Sequence, residues 1–468
     1  MMWNFDRYGD ALALISENGQ RVTYAQLAQE ARKLRDAMGG RCLVFTLCKN
    51  TPASLLGYAG LVENGVVPAL LNAELDRDML SGLYEAYHPA YLWAPEGFAW
   101  DGCESVYSLW GYHLLKTPFG TETRLNDDLA LLLTTSGSTG SPKFVRQSYR
   151  NIEANTLSIV EYLKLDASER PITTLPMNYT YGVSILNSHL MVGATILMTE
   201  CGIAQRDFWT FFRQEEATSF GGVPYTYEML DRMRFMRMDL PSLRTMTQAG
   251  GKLQPELHGK FVNWCREVGK QFIVMYGQCE ATARMAYLPW ERSLEKIGAI
   301  GIAIPGGRFE LIDVNGDPIT ETGVTGELRY HGDNVTLGYA TCAADLSLGD
   351  ERGGVLETGD MAQMDADGYF TIVGRKKRFL KMYGNRVNLD ELEGMLKGQF
   401  PGLDVACGGR DDHLYLFATR EDVLPEMRTF LSQKTGLNMA GFHTQQLDAI
   451  PKNDAGKTLY RELEQYVH

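Results

Sequence analysis

The sequence predicts an α/β protein: a large amino-terminal domain of two helix-covered sheets with a small β-barrel-like unit, then a small, mobile α+β domain at the carboxyl end. Three observations carry this expectation. The chain has 468 residues, more than one hydrophobic core ordinarily holds, so two or three domains are expected. Amphipathic helical patterns alternate with short apolar runs through about residue 300, as in open parallel sheets covered by helices. From about 305 closely spaced strand and turn signals take over, and short mixed elements follow Gly374. The expected division is 1–373 for the large domain, with its β-rich part at about 305–373, a hinge at 374–377 and a small domain at 378–468.

Each element has a local reason. Thr23 and Gln26 read as a capping box, and Leu27, Ala31, Leu34 and Met38 recur at helical spacing before the buried-strand run CLVFTLC at 42–48. Thr51 then caps a helix with Pro52 at its first position, and VVPALLN is the next strand. The most apolar stretch, SILNSHLMVGATILM at 184–198, carries Asn187 and His189 and is too short to span a membrane. His189 reads as a core histidine rather than a ligand. Beyond 305, Asn315-Gly316 marks a hairpin, GELRYHG a short strand, and MAQMDADGYFTIVG a strand, a turn and a strand. DADG at 365–368 opens like a calcium loop, but its twelfth position is Lys376 where Glu is needed, so it is a hairpin turn. LDELEGMLKGQF is a helix and HLYLFATR a strand.

Composition excludes several function classes. The formal charge of -13 disfavours nonspecific attraction to nucleic acid or anionic lipid. One basic cluster, GRKKRFLK at 374–381, stands against that field as an address, a nucleic-acid patch or a phosphate contact. The eight cysteines are scattered with no CxxC pair, which argues against a zinc site or a disulfide scaffold and for reduced thiols in a cytoplasm. The start MMWNFDRYGD has no basic segment followed by an apolar run. A cytoplasmic protein without nucleic-acid partners or an integral membrane segment is expected.

The chemistry begins with TTSGSTGSPK at 134–143. A Walker loop needs Gly-Lys after its first Gly and four further residues, and Pro142 stands where that second Gly belongs. Even so, successive Gly, Ser and Thr after an apolar strand present backbone amides and hydroxyls in a concave loop that attracts phosphate oxygens, and Lys143 adds a cation. Taken alone, such a stretch is more often a surface loop between a strand and a helix.

Five further segments change those odds: QAGGKL at 248–253, MYGQCEATA at 275–283, GELRYHG at 326–332, ETGDMAQMDADGYFTIVGRKKRFLK at 357–381 and PKNDAGK at 451–457. With TTSGSTGSPK, in this order and spacing over nearly the whole chain, the sequence resembles the adenylate-forming ligases. That family includes acyl-CoA synthetases, plant-type coumarate ligases, luciferases and the adenylation domains of peptide synthetases. The resemblance implies ATP, Mg2+ and a carboxylic acid as reactants. It places Thr135, Ser136, Gly137, Ser138, Thr139, Gly140 and Lys143 on the β and γ phosphates. Gly250 and Gly251 with Tyr276, Gly277 and Gln278 would hold the adenine, and Asp360 with Arg375 the ribose hydroxyls. Glu280 would ligate magnesium. Lys457 would be the catalytic ammonium that touches both the carboxylate and the α-phosphate, with Cys279 and Glu280 beside it. Without the other motifs, Lys457, Asp360 and Glu280 read as a solvated lysine, a turn residue and a first-turn glutamate.

The same resemblance implies two half-reactions: acyl-adenylate formation with release of pyrophosphate, then transfer of the acyl group to a thiol with release of AMP. A hinge at Lys377 would serve both, with Gly384, Asn385 and Arg386 facing the thiol tunnel. CoA is the preferred acceptor, and a phosphopantetheine-bearing carrier protein is the alternative. An acyl pocket is expected from Tyr179, Tyr181, Gly182, Ser184, Gly221, Val223 and Met285, a lining that suits an uncharged organic acid. Three positions depart from the family pattern. Cys279 replaces the usual Thr, Tyr179 stands where a His is common, and Arg378 occupies the second acidic place of the GRxDD segment. Cys279 also keeps open a reading from another class, a catalytically weakened nucleotide-binding regulatory protein.

Overall fold

The computed structural model describes residues 2–134, 143–383, 385–452, 456 and 458–467, with the side chains of Lys377, Phe379, Asn385 and Arg386 excepted. Packing divides the chain into Met1–Arg308 with Tyr330–Leu356, and Phe309–Arg329 with Glu357–His468. The β-rich stretches 309–329 and 357–373 thus group with the carboxyl-terminal part, whereas the sequence reading assigned them to the large domain.

In the first unit, strands β1 (Leu43–Cys48), β2 (Val67–Asn72), β3 (Tyr91–Pro95) and β4 (Leu129–Thr134) run parallel at the centre of an eight-stranded sheet. They read as continuous apolar runs because both faces are covered. Alternate residues of β1 supply two cores: Val44 and Cys48 one, Leu43, Phe45 and Leu47 the other. Strand β5 (Phe144–Ser148) pairs antiparallel with β4, Thr134 opposite Phe144. The Ser/Thr/Gly-rich run therefore links two neighbouring antiparallel strands rather than a strand and a helix.

The helix signals hold. Thr23 Oγ1 accepts from Gln26 N–H at 3.2 Å and Gln26 Oε1 accepts from Thr23 N–H at 2.9 Å, which starts α1 (Tyr24–Asp36). Met38 lies beyond its end yet stays buried. The apolar stretch at 184–198 divides into α2 (Thr180–Met191) and a strand, Ile196–Met198. His189 Nδ1 bonds the Ile185 carbonyl at 2.7 Å, and burial lowers its pKa to about 4, so it is a neutral core residue. No helix among the described residues is long and apolar enough to cross a membrane.

A second sheet of this unit carries β6 (Ser219–Gly222), β7 (Thr245–Gln248) and β8 (Gln271–Tyr276), parallel and in register. The eight-stranded sheet is extended beyond β5 by β9 (Gly338–Ala340), with Tyr339 opposite Val145.

In the second unit, β10 (Val355–Met364) and β11 (Phe370–Arg375) form the hairpin expected around DADG. Asp365 Oδ1 accepts from the N–H groups of Asp367 and Tyr369 within the turn. Farther on, α3 (Leu389–Gln399) and α4 (Leu424–Thr435) pack with a three-stranded sheet around Leu392, Leu416 and Met427.

Three cations of the basic cluster pair with carboxylates of this unit. Arg375 pairs with Asp360, Lys376 with Glu327, and Arg378 with both Asp390 and Glu393. The Arg378 guanidinium also lies 3.5 Å from the centre of the Tyr460 ring and donates to the Cys407 carbonyl at 3.0 Å. Tyr460 in turn donates to Glu393 at 2.8 Å. The position that departs from the family pattern is thus the hub of a buried network joining α3, a strand and the carboxyl-terminal helix. Arg378→Ala leaves Glu393 buried without its cation and should cost about 3 kcal/mol in urea denaturation. Arg420→Ala breaks a pair with Asp422 in which both side chains are exposed and should cost less than about 1 kcal/mol. Equal losses would contradict this assignment.

Candidate active site

Because β6, β7 and β8 run parallel, the chain turns out of all three at one end of the sheet, where ligands of α/β proteins gather. Glycines at these turns let backbone and side chains approach closely. Gly250 has φ +87°, and a Cβ there would stand 2.8 Å from the Tyr179 hydroxyl and 3.1 Å from Val223. A Cβ on Gly277 would lie 1.6 Å from the Ala283 carbonyl oxygen, so only glycine fits beneath the following loop. Gly250, Gly251, Tyr276, Gly277 and Gln278 therefore come from adjacent strand ends, with Gln278 Nε2 donating to the Tyr276 hydroxyl at 3.3 Å.

The expected acyl-pocket residues also meet. Tyr181, Val223 and Met275 share a small buried core with Tyr179, Ile185 and Tyr287 at its margin. The Tyr181 hydroxyl bonds Thr247 Oγ1 at 2.7 Å. A Cβ on Gly221 would meet Ile185 at 2.8 Å and that same hydroxyl at 2.9 Å, so the space beyond Gly221 is already filled. A Cβ on Gly182, at the start of α2, would collide with the Pro176 carbonyl oxygen, and Met285 donates its N–H to the Tyr276 carbonyl at 2.8 Å. Burial raises the Tyr179 phenol to about 12, which keeps it protonated.

Beside these strand ends, Glu280 sits in a short helical turn, Cys279–Ala281. Its Oε1 accepts from the Tyr339 hydroxyl at 2.6 Å. Burial, and then the Glu280 charge, push that phenol up to about 12, so it remains a donor. Lys143 Nζ lies 3.8 Å from the centre of the Tyr339 ring and the Arg352 guanidinium 4.8 Å. Arg352 also donates to the Glu280 carbonyl at 3.0 Å and to Thr336 at 2.9 Å. Cys279 Sγ faces the Thr134 carbonyl at 3.9 Å, a weak contact. Burial, then Glu280, raises its thiol pKa, so it is a protonated donor and not a nucleophile. The two ends of the Ser/Thr/Gly run, Thr134 and Lys143, thus converge on Cys279 and Glu280.

A family model described as AMP-binding enzyme matches residues 2–340. The chain belongs to the AMP-binding enzyme family. Among curated relatives, a feruloyl-CoA synthase of an Amycolatopsis species is 27% identical over 416 residues, covering 84% of this chain and 81% of that protein. An indoleacetate–CoA ligase of Aromatoleum aromaticum is 30% identical over 285 residues, covering 60% of this chain and 54% of its own. Among solved structures, the O-succinylbenzoate coenzyme A synthetase of Bacillus subtilis in complex with AMP superposes with a TM-score of 0.79 at 21% identity, covering 99% of this chain and 98% of its own. The fold is that of the two-domain adenylate-forming enzymes. As a member of the AMP-binding family, the chain is a ligase that joins a carboxylic acid to AMP and passes the acyl group to a thiol.

Among the described residues no group of three His, Cys, Asp or Glu forms a metal cage. Magnesium needs none, because it takes one or two carboxylates and completes its shell with phosphate and water. Glu280 fits that demand, since its Oε2 accepts no hydrogen bond from a described residue while Tyr339 steadies Oε1. In the second unit, Asp360 is 2% exposed and stands opposite Arg375 in the β10–β11 ladder, with Arg375 Nε 2.7 Å from Asp360 Oδ1. Thr135, Ser136, Gly137, Ser138, Thr139, Gly140, Gly384 and Lys457 lie outside the described residues, as do the side chains of Lys377, Asn385 and Arg386. Sequence reasoning missed Tyr339 and Arg352, which stand in no motif, and Arg284, which directly follows one. Tyr339→Phe should raise the Mg2+ concentration for half-maximal pyrophosphate exchange by about tenfold, the worth of one hydrogen bond to a charged group. An unchanged Mg2+ dependence would remove Tyr339 from the metal's support.

Proposed function

We propose that this chain is a carboxylate–CoA ligase for a compact acid with an aromatic or similarly flat body. The placement of Cys279 beside Thr134 and of Lys143 over the Tyr339 ring that holds Glu280, at the two ends of the Ser/Thr/Gly run, supports it most directly. In this reading Thr135, Ser136, Gly137, Ser138, Thr139, Gly140 and Lys143 grip the β and γ phosphates. Gly250, Gly251, Tyr276, Gly277 and Gln278 hold the adenine, and Asp360 with Arg375 the ribose. Glu280 holds magnesium, which when bound supplies positive charge to the phosphates. The carboxylate oxygen attacks the α-phosphorus and the bond to pyrophosphate breaks. Lys457 touches both anions and offsets their repulsion as charge shifts. Cys279 adds a weak S–H donor where a hydroxyl is usual.

The acid is inferred from the pocket formed by Tyr179, Tyr181, Gly182, Ser184, Gly221, Val223 and Met285. Its phenol rings and its filled end beyond Gly221 favour a short, flat acid over a long acyl chain. The names of the feruloyl-CoA synthase and indoleacetate–CoA ligase relatives are in keeping with that class. Those relatives also favour CoA over a phosphopantetheine-bearing carrier protein as the thiol. Residues 374–377, centred on Lys377, serve as the hinge between the two half-reactions, and 378–468 as the moving domain. All eight cysteines are free thiols, in keeping with a cytoplasmic enzyme.

Carboxylate-dependent exchange of labelled pyrophosphate into ATP tests the reading: exchange that needs the acid supports it, and none with any acid ends it. CoA and candidate carrier proteins offered to the preformed adenylate separate the two acceptors. Lys457→Ala should lower exchange by about 100-fold or more, while thioester formation from supplied adenylate persists. Loss of both halves together would show that Lys457 has another role. Cys279→Thr should leave exchange equal or faster, and a large loss would give the thiol a purpose of its own.

A further inference from the structure

One buried charge is left over by the reading above. Arg284 is 2% exposed. Its Nε donates to Ser184 Oγ at 3.0 Å and its Nη1 to the Tyr162 hydroxyl at 3.0 Å, with Met275 Sδ at 3.3 Å. The guanidinium carbon lies 5.3 Å from the centre of the Tyr181 ring. Every one of these partners is neutral. No carboxylate among the described residues pairs with Arg284, and Nη2 makes no hydrogen bond to any of them.

Arginine stays charged at any physiological pH, so burial cannot be relieved by losing a proton. A buried cation whose neighbours are all neutral is costly unless an anion arrives to pair with it. Buried arginines elsewhere in this chain obey that rule: Arg146 pairs with Glu351, and Arg378 with Asp390 and Glu393. Arg284 differs from them in lying against Ser184 and Tyr181, two walls of the acyl pocket. A purely structural arginine would need no such position.

We propose that Arg284 is a specificity-determining residue that selects acids carrying a second carboxylate, remote from the one that is activated. The inference rests on the ligase reading and deepens it. The planar guanidinium suits a carboxylate geometrically, and Ser184 and Tyr162 hold it in place. The small, apolar remainder of the lining then contacts the body of the acid, while Arg284 offsets its distal charge. An uncharged acid of the same shape leaves the cation unpaired, the situation in which a site rejects an analogue most strongly.

Pyrophosphate exchange with matched pairs tests this: terephthalate against its monomethyl ester, and succinate against its monomethyl ester. The unmodified enzyme should prefer each diacid by at least about tenfold in kcat/KM. Arg284→Met should lower the diacid far more than the half-ester and bring their ratio near one, while Arg284→Lys should keep part of the preference. Should Arg284→Met fail to fold, the unmodified enzyme still decides, by its ratio and by whether terephthalate raises the Tm more than the half-ester. Half-esters used as well as diacids, or a ratio untouched in Arg284→Met, would overturn the role of Arg284 and leave the ligase reading standing. Exchange with no acid at all would overturn both.

Discussion

Strands β6, β7 and β8 run in the same direction and in register, so the backbone leaves all three at one level. Parallel pairing thereby gathers residues from three distant stretches of chain and sets Val223 and Pro224 against Gly250 and Gly251. Close approach then demands glycine. The φ of +87° at Gly250 and the carbonyl beneath Gly277 exclude side chains where the adenine is proposed to rest. Tyr181 and Ile185 of α2 fill the space beyond Gly221.

The second requirement is electrostatic. Glu280 is steadied by a protonated phenol on β9, and that phenol lies under Lys143 and Arg352. The ring thus stands among one anion and two cations, and the anion keeps an oxygen available for a hard metal. In the second unit Arg375, Lys376 and Arg378 pair with carboxylates. Arg284, by contrast, is buried with neutral partners only among the described residues.

Much of the fold was legible in the residues. The capping box at Thr23, the Asn315-Gly316 turn and the apolar runs of β1 and β2 are local signals, governed by neighbours within a few positions, and each formed as expected. The motif residues near 250, 276–280 and 360 were legible for a similar reason, since glycine and carboxylate at a fixed spacing are written directly in the chain. Local signals misjudged only the partners of an element. Taken alone the Ser/Thr/Gly run reads as a strand-to-helix loop, yet it leads into β5, because strand identity there depends on β4 and β9 alongside.

The sequence by itself determined the fold class, the order of helices and strands, and the family of chemistry, because periodicity, capping and motif spacing act over short distances. Only the tertiary structure decided that Tyr339 and Arg352 attend Glu280, that Arg378 is a buried hub, and that Arg284 is buried among neutral partners. Those facts concern charges brought together across roughly 15 to 120 residues of chain. Whether a buried charge is paired is a property of the neighbours that folding supplies, and no single stretch of residues records it.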